Sequence, residues 1–274
     1  MNLLSFFISG MIWSEEELKK FINLLPNLEQ CHAYIIMLMI RSRFAKQLLG
    51  VKVKDVVLER EVIPWYKIDW RDDFFKKVKK LAILGEYASE IFTIFKEKQG
   101  LVPVQPHACG IVCVMNQANV KQALCDFLNE TLKLLIMQED VENAHKVWKR
   151  YVAQLHKRAK KIFHVLDLDV KDKNIFNEVM SELDKYKQPY FVIETSRGYH
   201  FVIDLKVFAE DKKLAGKFFT EFVKKYVPEK QKVLYEVDEH GNKKSLIEYQ
   251  TQAMSPIPGT VYGGFKVRIV YIRK

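Results

Sequence analysis

The chain has 274 residues, of which 49% are hydrophobic, so it can bury a substantial core and general disorder is excluded. Lysine and arginine (44) outnumber aspartate and glutamate (34), and the net charge of +10 favours a polyanionic partner, although a basic surface can serve solubility alone. The four cysteines do not make a disulfide framework in a chain of this length, so we expect a reducing, cytoplasmic location.

The first helix of the chain has a clear start signal. Ser14 followed by Glu17 is a capping-box pattern, and Pro26 ends the helix that it begins. The apolar run from His32 to Ile40 is predicted to lie in a second, buried helix. It is much shorter than the ~20 residues that cross a bilayer, so we expect no membrane partner. The further elements predicted for the first 160 residues are, in chain order, that helix over 28–49, a strand over 51–63, a helix over 71–98, a strand over 110–115 and helices over 120–136 and 141–160.

After residue 160 the pattern changes from helical to strand periodicity. We therefore predict an α+β protein, with a helix-rich lobe at residues 1–160 and a sheet lobe at residues 161–274. A basic stretch from His145 to Lys161 leads into the second lobe and is typical of a surface that follows a nucleic-acid backbone. The elements predicted for the second lobe are strands near 162–169, 190–195, 199–205, 232–238, 244–250 and 266–272, and helices near 174–185 and 211–225.

Two aspartates interrupt the first of these strands at alternate positions. Side chains on a strand alternate between its faces, so Asp167 and Asp169 point the same way. Two neighbouring carboxylates repel each other unless a cation lies between them. Hard divalent ions such as Mg²⁺ prefer oxygen ligands and leave positions for substrate phosphates. The pair is therefore a candidate metal site, although a solvated strand edge shows the same spacing.

The next two strands are joined by a polar turn. Ser196, Arg197, Gly198 and His200 follow one apolar run and lead directly into another, which predicts a strand, a tight turn and a strand. A turn with exposed backbone N–H groups can receive a polyphosphate, and the planar guanidinium of Arg197 suits phosphate oxygens. A plain hairpin with a surface arginine and a half-buried histidine is the structural alternative.

A segment rich in glycine and proline lies near the C-terminus. Pro258-Gly259 and Gly263-Gly264 mark two sharp turns close together. Glycine lets a backbone approach a ligand closely, and Lys266 supplies a cation beside it. A loop joining the last two strands explains the same residues without a ligand.

In this order, the Asp-x-Asp strand, the Ser-Arg-Gly-x-His turn and the Pro-Gly-Thr loop resemble the archaeo-eukaryotic primase superfamily. The resemblance covers residues 161–268 and is nearest to the small, stand-alone primase-polymerases of mobile elements or CRISPR systems. It implies an antiparallel, RRM-like sheet with the active site in the groove between the two lobes. It also implies two divalent ions (Mg²⁺ or Mn²⁺), nucleoside triphosphates and a single-stranded DNA template. The residues that it assigns to nucleotide binding are Ser196, Arg197, Gly198, His200 and Lys266.

The family pattern includes a third acidic metal ligand, usually an aspartate shortly before the Pro-Gly loop. No aspartate stands there, and Glu248 is the nearest carboxylate at a fitting place. Asp238 and Glu236, on the preceding predicted strand, are its rivals. If none of them reaches the ions, the site is incomplete and catalysis fails.

The resemblance thus predicts a template-directed nucleotidyltransferase, a DNA primase-polymerase with Asp167, Asp169 and Glu248 as metal ligands and catalytic residues. One alternative is a nucleic-acid-binding replication accessory whose polymerase site has decayed. Another is a metal-dependent nuclease that uses the same carboxylates. The turn with Arg197 and His200 favours a triphosphate ligand over the nuclease.

Overall fold

A computed structural model describes most of the chain. The described residues are 10–42, 44, 46, 55–96, 100–136, 155, 159–225, 235–237, 243–250 and 253–274. The rival acid Asp238 and almost all of the basic stretch before Lys161 lie outside them, as do the predicted residues 141–154.

Helices occur in both halves of the chain. Their bounds are α1 Glu15–Leu24, α2 Trp70–Glu86, α3 Ala88–Ile91, α4 Val120–Ile136, α5 Lys173–Asp184, α6 Lys206–Glu210 and α7 Lys212–Lys217, with a π-helical turn at Phe218–Val223 and a 3₁₀ turn at Pro106–Ala108.

The described strands fall into two larger sheets and three small hairpins. Their bounds are β1 His32–Ile40, β2 Val56–Pro64, β3 Thr93–Lys96, β4 Gly100–Pro103, β5 Cys109–Asn119, β6 Phe163–Leu168, β7 Tyr190–Glu194, β8 Tyr199–Asp204, β9 Tyr235–Val237, β10 Lys243–Ser245, β11 Ile247–Gln250, β12 Met254–Pro256, β13 Val261–Tyr262, β14 Phe265–Lys266 and β15 Arg268–Arg273.

The first sheet has the antiparallel strand order β12-β5-β1-β2. Its strand β1 shows that the prediction of a helix over 28–49 is wrong, because His32–Ile40 is a strand that is buried over almost its whole length. A strand with neighbours on both sides and cover on both faces needs an unbroken apolar run. A buried helix can show the same run, so periodicity did not separate the two structures.

Helix α2 packs against this sheet, and helix α1 packs against α2 and against strand β15 of the second sheet. The predicted start of α1 is confirmed, since the Ser14 hydroxyl accepts a hydrogen bond from the Glu17 N–H at 3.1 Å. The Glu17 carboxylate does not complete the capping box, because it accepts from the backbone N–H of Ile269 instead. Helix α2 ends well before the predicted residue 98, and its place is taken by the short α3 and the hairpin β3–β4.

The second sheet has the antiparallel order β11-β6-β8-β7-β15. Along the chain, β6, α5, β7, β8, α6–α7 and β11 follow the β-α-β-β-α-β order. On β6, Val165 points into the core shared with the first sheet, and Leu166 points into a second core beneath α5. The prediction of an α+β fold with mainly antiparallel sheets is confirmed.

The two sheets are joined by packing and by the chain itself. One continuous core contains Ile36 and Val112 of the first sheet together with Ile193 and Val202 of the second. Strand β12 follows β11 of the second sheet but pairs with β5 of the first. The predicted boundary at residue 160 therefore separates the two sheets except for this one strand.

Two of the four cysteines are buried thiols. Cys109 and Cys113 lie on β5, and burial raises the pKa of the Cys109 thiol to about 12. No helix within the described residues is both long enough and apolar enough to pass through a lipid bilayer.

The buried imidazole of His164 predicts a pH-dependent stability. Burial and the nearby Lys161 charge lower its pKa to about 4, and its Nδ1 lies 2.6 Å from the Tyr249 hydroxyl oxygen. The unfolded chain takes up this proton near the ordinary value of 6.5, whereas the folded chain resists it down to about 4. The stability that the neutral His164 contributes is therefore complete above pH 6.5 and is lost as the pH falls toward 4.

We expect the free energy of unfolding of the wild type, measured with urea, to be about 2 kcal/mol lower at pH 5 than at pH 7 because of His164. His164→Gln keeps a polar partner for Tyr249 but does not titrate, so its stability should change less over the same interval. Equal pH dependence of the two proteins would contradict the assignment.

Candidate functional site

The strand register of the second sheet places three side chains in one row. Glu248 on β11 is the direct cross-strand partner of Asp167 on β6, and Asp167 is in turn the partner of His200 on β8. Directly paired residues project from the same face of a sheet. The row therefore brings the favoured third acid, the first aspartate and the histidine of the turn motif together.

Asp167 is held by polar neighbours on two sides. The Nε2 atom of His200 lies 3.3 Å from Asp167 Oδ1, and the Gln250 side-chain amide donates to Asp167 Oδ2 at 3.3 Å. The carboxylate is only partly exposed, so both contacts act in a medium less screening than bulk water. Its oxygens are thus oriented before any ligand arrives.

His200 connects the two sheets through a serine that the sequence analysis did not single out. Its Nδ1 lies 3.0 Å from the hydroxyl oxygen of Ser255 on β12, and Ser255 is fully buried. A carboxylate only accepts hydrogen bonds, so the Asp167 contact places a proton on Nε2. The Ser255 hydroxyl can accept from or donate to Nδ1, and in the tautomer with one proton on Nε2 it donates and holds the ring orientation.

The acids and the turn border a common cleft made of two adjoining cavities. The smaller cavity, of about 290 Å³, is lined by Asp167, Asp169, Arg197 and Glu248 among others. The larger, of about 560 Å³, is lined by Asp167, His200 and Glu248 together with apolar residues of both sheets. The structure therefore brings five predicted site residues to one place.

The turn reaches this cleft because of a glycine. A Cβ added to Gly198 would stand 1.7 Å from the backbone oxygen of Leu168, the last residue of β6. Only glycine allows the turn to pack against the end of the aspartate strand. The hydroxyl of Thr195 accepts from the Gly198 N–H at 3.2 Å and closes the turn. The hydroxyl oxygen of Ser196 is buried and has no hydrogen-bond partner within the described residues.

An ion-pair triad supports the same turn from outside. Glu194, at the end of β7, accepts from Lys171 Nζ at 2.9 Å and from Arg268 Nε at 2.6 Å. Burial alone raises the pKa of Glu194, but the hydrogen bonds and charges of the two cations outweigh burial and lower it. The carboxylate thus stays ionised and ties the ends of β6, β7 and β15 together.

Two predicted elements do not reach the cleft. Lys266 is exposed, lies 5.9 Å from the ring centre of Trp13 and lines neither cavity. Gly259, with φ +85°, accepts hydrogen bonds through its carbonyl from the N–H groups of Trp13 and Ser14. The Pro-Gly-Thr loop therefore packs against the start of α1.

The donor chemistry fits a hard divalent ion, but the placed side chains do not form a closed ligand cage. Asp167, Asp169 and Glu248 supply carboxylate oxygens to one cavity. Among the residues described, no three acidic, histidine or cysteine side chains are arranged to hold a metal ion. Ion binding by these residues would require Asp169 or the exposed Glu248 to rotate toward Asp167.

Sequence reasoning missed three further residues that line the cleft. Gln250 and Ser255 contact Asp167 and His200 directly, and Arg41, which follows β1, lines both cavities. Arg41 lay inside the wrongly predicted helix. Gln250 and Ser255 lie close in sequence to Glu248 and Pro258, but their contacts with Asp167 and His200 arise from the pairing of β11 with β6 and of β12 with β5.

Comparison with family models, curated proteins and solved structures gave no match to this chain. A functional assignment therefore rests on the arrangement of side chains in the cleft.

The close approach of Gly198 to β6 predicts a large effect of a single methyl group. Gly198→Ala should destabilise the protein by about 2–3 kcal/mol in urea unfolding, because the obstacle is backbone that cannot rotate away. Gly216→Ala is the matched control, since a Cβ at Gly216 meets nothing within 4 Å and alanine favours a helix. If Gly198→Ala is as stable as Gly216→Ala, the close packing is incorrect.

The bond between Ser255 and His200 predicts a spectroscopic change. In wild-type protein, ¹⁵N shifts of the His200 ring should show a proton on Nε2. Ser255→Ala should give a mixture of tautomers and a stability loss of about 1 kcal/mol.

Thr260→Ala is the control for this variant. It removes a buried hydroxyl that donates to the Ile257 carbonyl and so leaves His200 untouched. A single, unchanged tautomer in Ser255→Ala would contradict the role of Ser255.

Proposed function

We propose that this protein is a template-directed nucleotidyltransferase, a DNA primase-polymerase that starts or extends strands on single-stranded DNA. The observation that carries the proposal is the common lining of one cavity by Asp167, Asp169, Glu248 and Arg197. Three carboxylates beside a guanidinium suit a metal-bound polyphosphate better than either group alone.

In this proposal, Asp167, Asp169 and Glu248 hold two divalent ions, Mg²⁺ or Mn²⁺. When bound, such ions lower the pKa of an attacking hydroxyl and neutralise charge on the phosphates. The chain itself contributes orientation: Gln250 and His200 hold the Asp167 carboxylate toward the cavity. Positioning and electrostatics carry this kind of reaction, and no protein nucleophile is needed.

The triphosphate lies against the turn between β7 and β8. Arg197 carries a planar guanidinium that suits phosphate oxygens, and a ring N–H of His200 would have to exchange its bond with Asp167 to reach the same ligand. The Ser196 hydroxyl is buried without a partner in the described chain and lines neither cavity, so the turn must shift before this hydroxyl can donate to a phosphate oxygen. The larger cavity, with Val112, Val114 and Met254 in its wall, takes the less polar nucleoside.

The template is a single DNA strand, which the positive net charge of the chain attracts. The buried Cys109 and Cys113 thiols suit a protein that works in reducing cytoplasm.

The second candidate is a nucleic-acid-binding replication accessory with a decayed polymerase site. One observation favours it: the acids of the described chain do not converge into a ready metal site. The two candidates differ in whether the cleft turns over nucleotides.

Replacing both aspartates tests the proposal. Incubation of wild type with an unprimed single-stranded template, labelled nucleotides and Mg²⁺ or Mn²⁺ should give growing polymers. Asp167→Ala with Asp169→Ala should reduce synthesis by about 1,000-fold or more, because the ions lose their ligands. Template affinity should be retained, since positive residues dominate it.

Glu16→Ala with Glu210→Ala removes two exposed carboxylates elsewhere and should keep full activity. Full synthesis by the double aspartate variant would refute the site. Template retention without product in wild type would support the accessory, and template shortening would support a nuclease.

A further inference from the structure

Arg41 reaches the candidate site from the first sheet. It follows β1 directly and lines both cavities, where Asp167, Glu248 and Gln250 are also found. Arg197 belongs to the turn of the second sheet. Each sheet therefore contributes a guanidinium group to the cleft.

A carboxylate fixes the position of Arg41. Asp55, just before β2, makes an ion pair with Arg41 Nε at 2.9 Å and also accepts from the Ser42 N–H at 2.7 Å. The register pairs Ile40 with Val56, so the two residues flank the same end of neighbouring strands. The ion pair is made through Nε, and the guanidinium also carries two Nη groups that can donate to a phosphate.

The charges at the cleft explain why a second cation is needed. Asp167, Asp169 and Glu248 all line the smaller cavity and repel a polyanion there. Among the described lining residues, Arg41 and Arg197 are the cations of the smaller cavity, while Lys161 and Asp55 line the larger one. An ion pair as exposed as that of Arg41 and Asp55 contributes little to the stability of the fold, so a stabilising role does not explain it well.

We propose that Arg41 binds the polyphosphate of the nucleotide and closes the site from the first sheet, and that Asp55 is the positioning residue that aims it. This inference rests on the proposed function, because the ligand is the triphosphate that the turn binds. Two guanidinium groups on opposite sides hold phosphate oxygens by paired hydrogen bonds, which a single surface lysine does not.

Binding of ATP and of inorganic tripolyphosphate, measured by calorimetry with and without Mg²⁺, tests the inference without turnover. Arg41→Ala should weaken both ligands by about tenfold or more, and Arg41→Lys should recover part of the loss. The matched control is the Arg273 and Asp184 ion pair, which is similarly exposed and lines neither cavity. Arg273→Ala should leave both affinities within about twofold, since long-range charge effects are screened by salt.

Asp55→Asn changes the affinity for polyphosphate in opposite directions depending on whether Asp55 acts only through its charge or by positioning Arg41. Removing a negative charge near the cleft should strengthen anion binding if Asp55 acts only by its charge. The positioning role predicts weaker binding, whereas Asp184→Asn should change nothing. Melting curves of all variants confirm that they are folded.

Equal affinities for Arg41→Ala and Arg273→Ala would overturn the inference, as would tighter binding by Asp55→Asn or no polyphosphate binding by wild type. If these variants bind as wild type while polymer synthesis is normal, the inference alone fails. If binding depends on Arg41 but no polymer forms with either metal, the inference stands and the proposed function fails.

Discussion

The antiparallel register of β11, β6 and β8 determines which side chains meet at the cleft. It pairs Glu248 with Asp167 and Asp167 with His200 on one face of the second sheet. Because side chains alternate along a strand, a slip of one residue would turn Asp167 into the core beneath α5 and bring a leucine to the cleft. The buried leucines on the other face oppose such a slip, so the apolar core and the acidic row specify the same register.

The remaining parts of the site depend on how this sheet meets its neighbours. Gly198 lets the turn pack on the end of β6, and Glu194 holds that turn between two cations. Ser255 carries a contact from β12 to His200, across the junction of the two sheets. The cleft is thus built at a joint where both sheets contribute side chains, and the shared core below it limits their relative movement.

The sequence was informative where local patterns decide the structure. Ser14 predicted the start of α1, the two aspartates at alternate positions predicted β6, and two apolar runs on either side of a turn with Gly198 predicted β7 and β8. It failed for β1, because a strand buried on both faces has no polar period to distinguish it from a helix. The choice of Glu248 as the nearest acid agrees with the register, while Asp238 lies outside the described residues.

Contacts that arise only from the tertiary fold could not be predicted from local sequence patterns. Nothing near Ser255 or Arg41 in the sequence indicates a partner, since the pairing of β12 with β5 and the end of β1 beside the acids arise from long-range topology. Lys266 is the opposite case. A cation beside two glycines suggested a ligand loop, yet it lies over Trp13, away from both cavities.

The most direct measurement is anomalous diffraction from crystals grown with Mn²⁺ and a non-hydrolysable nucleoside triphosphate. We expect manganese bound by Asp167 and Asp169, with Glu248 turned inward and the triphosphate extending to Arg197. Manganese and nucleotide bound at another surface, with these three carboxylates still apart, would contradict the proposed site.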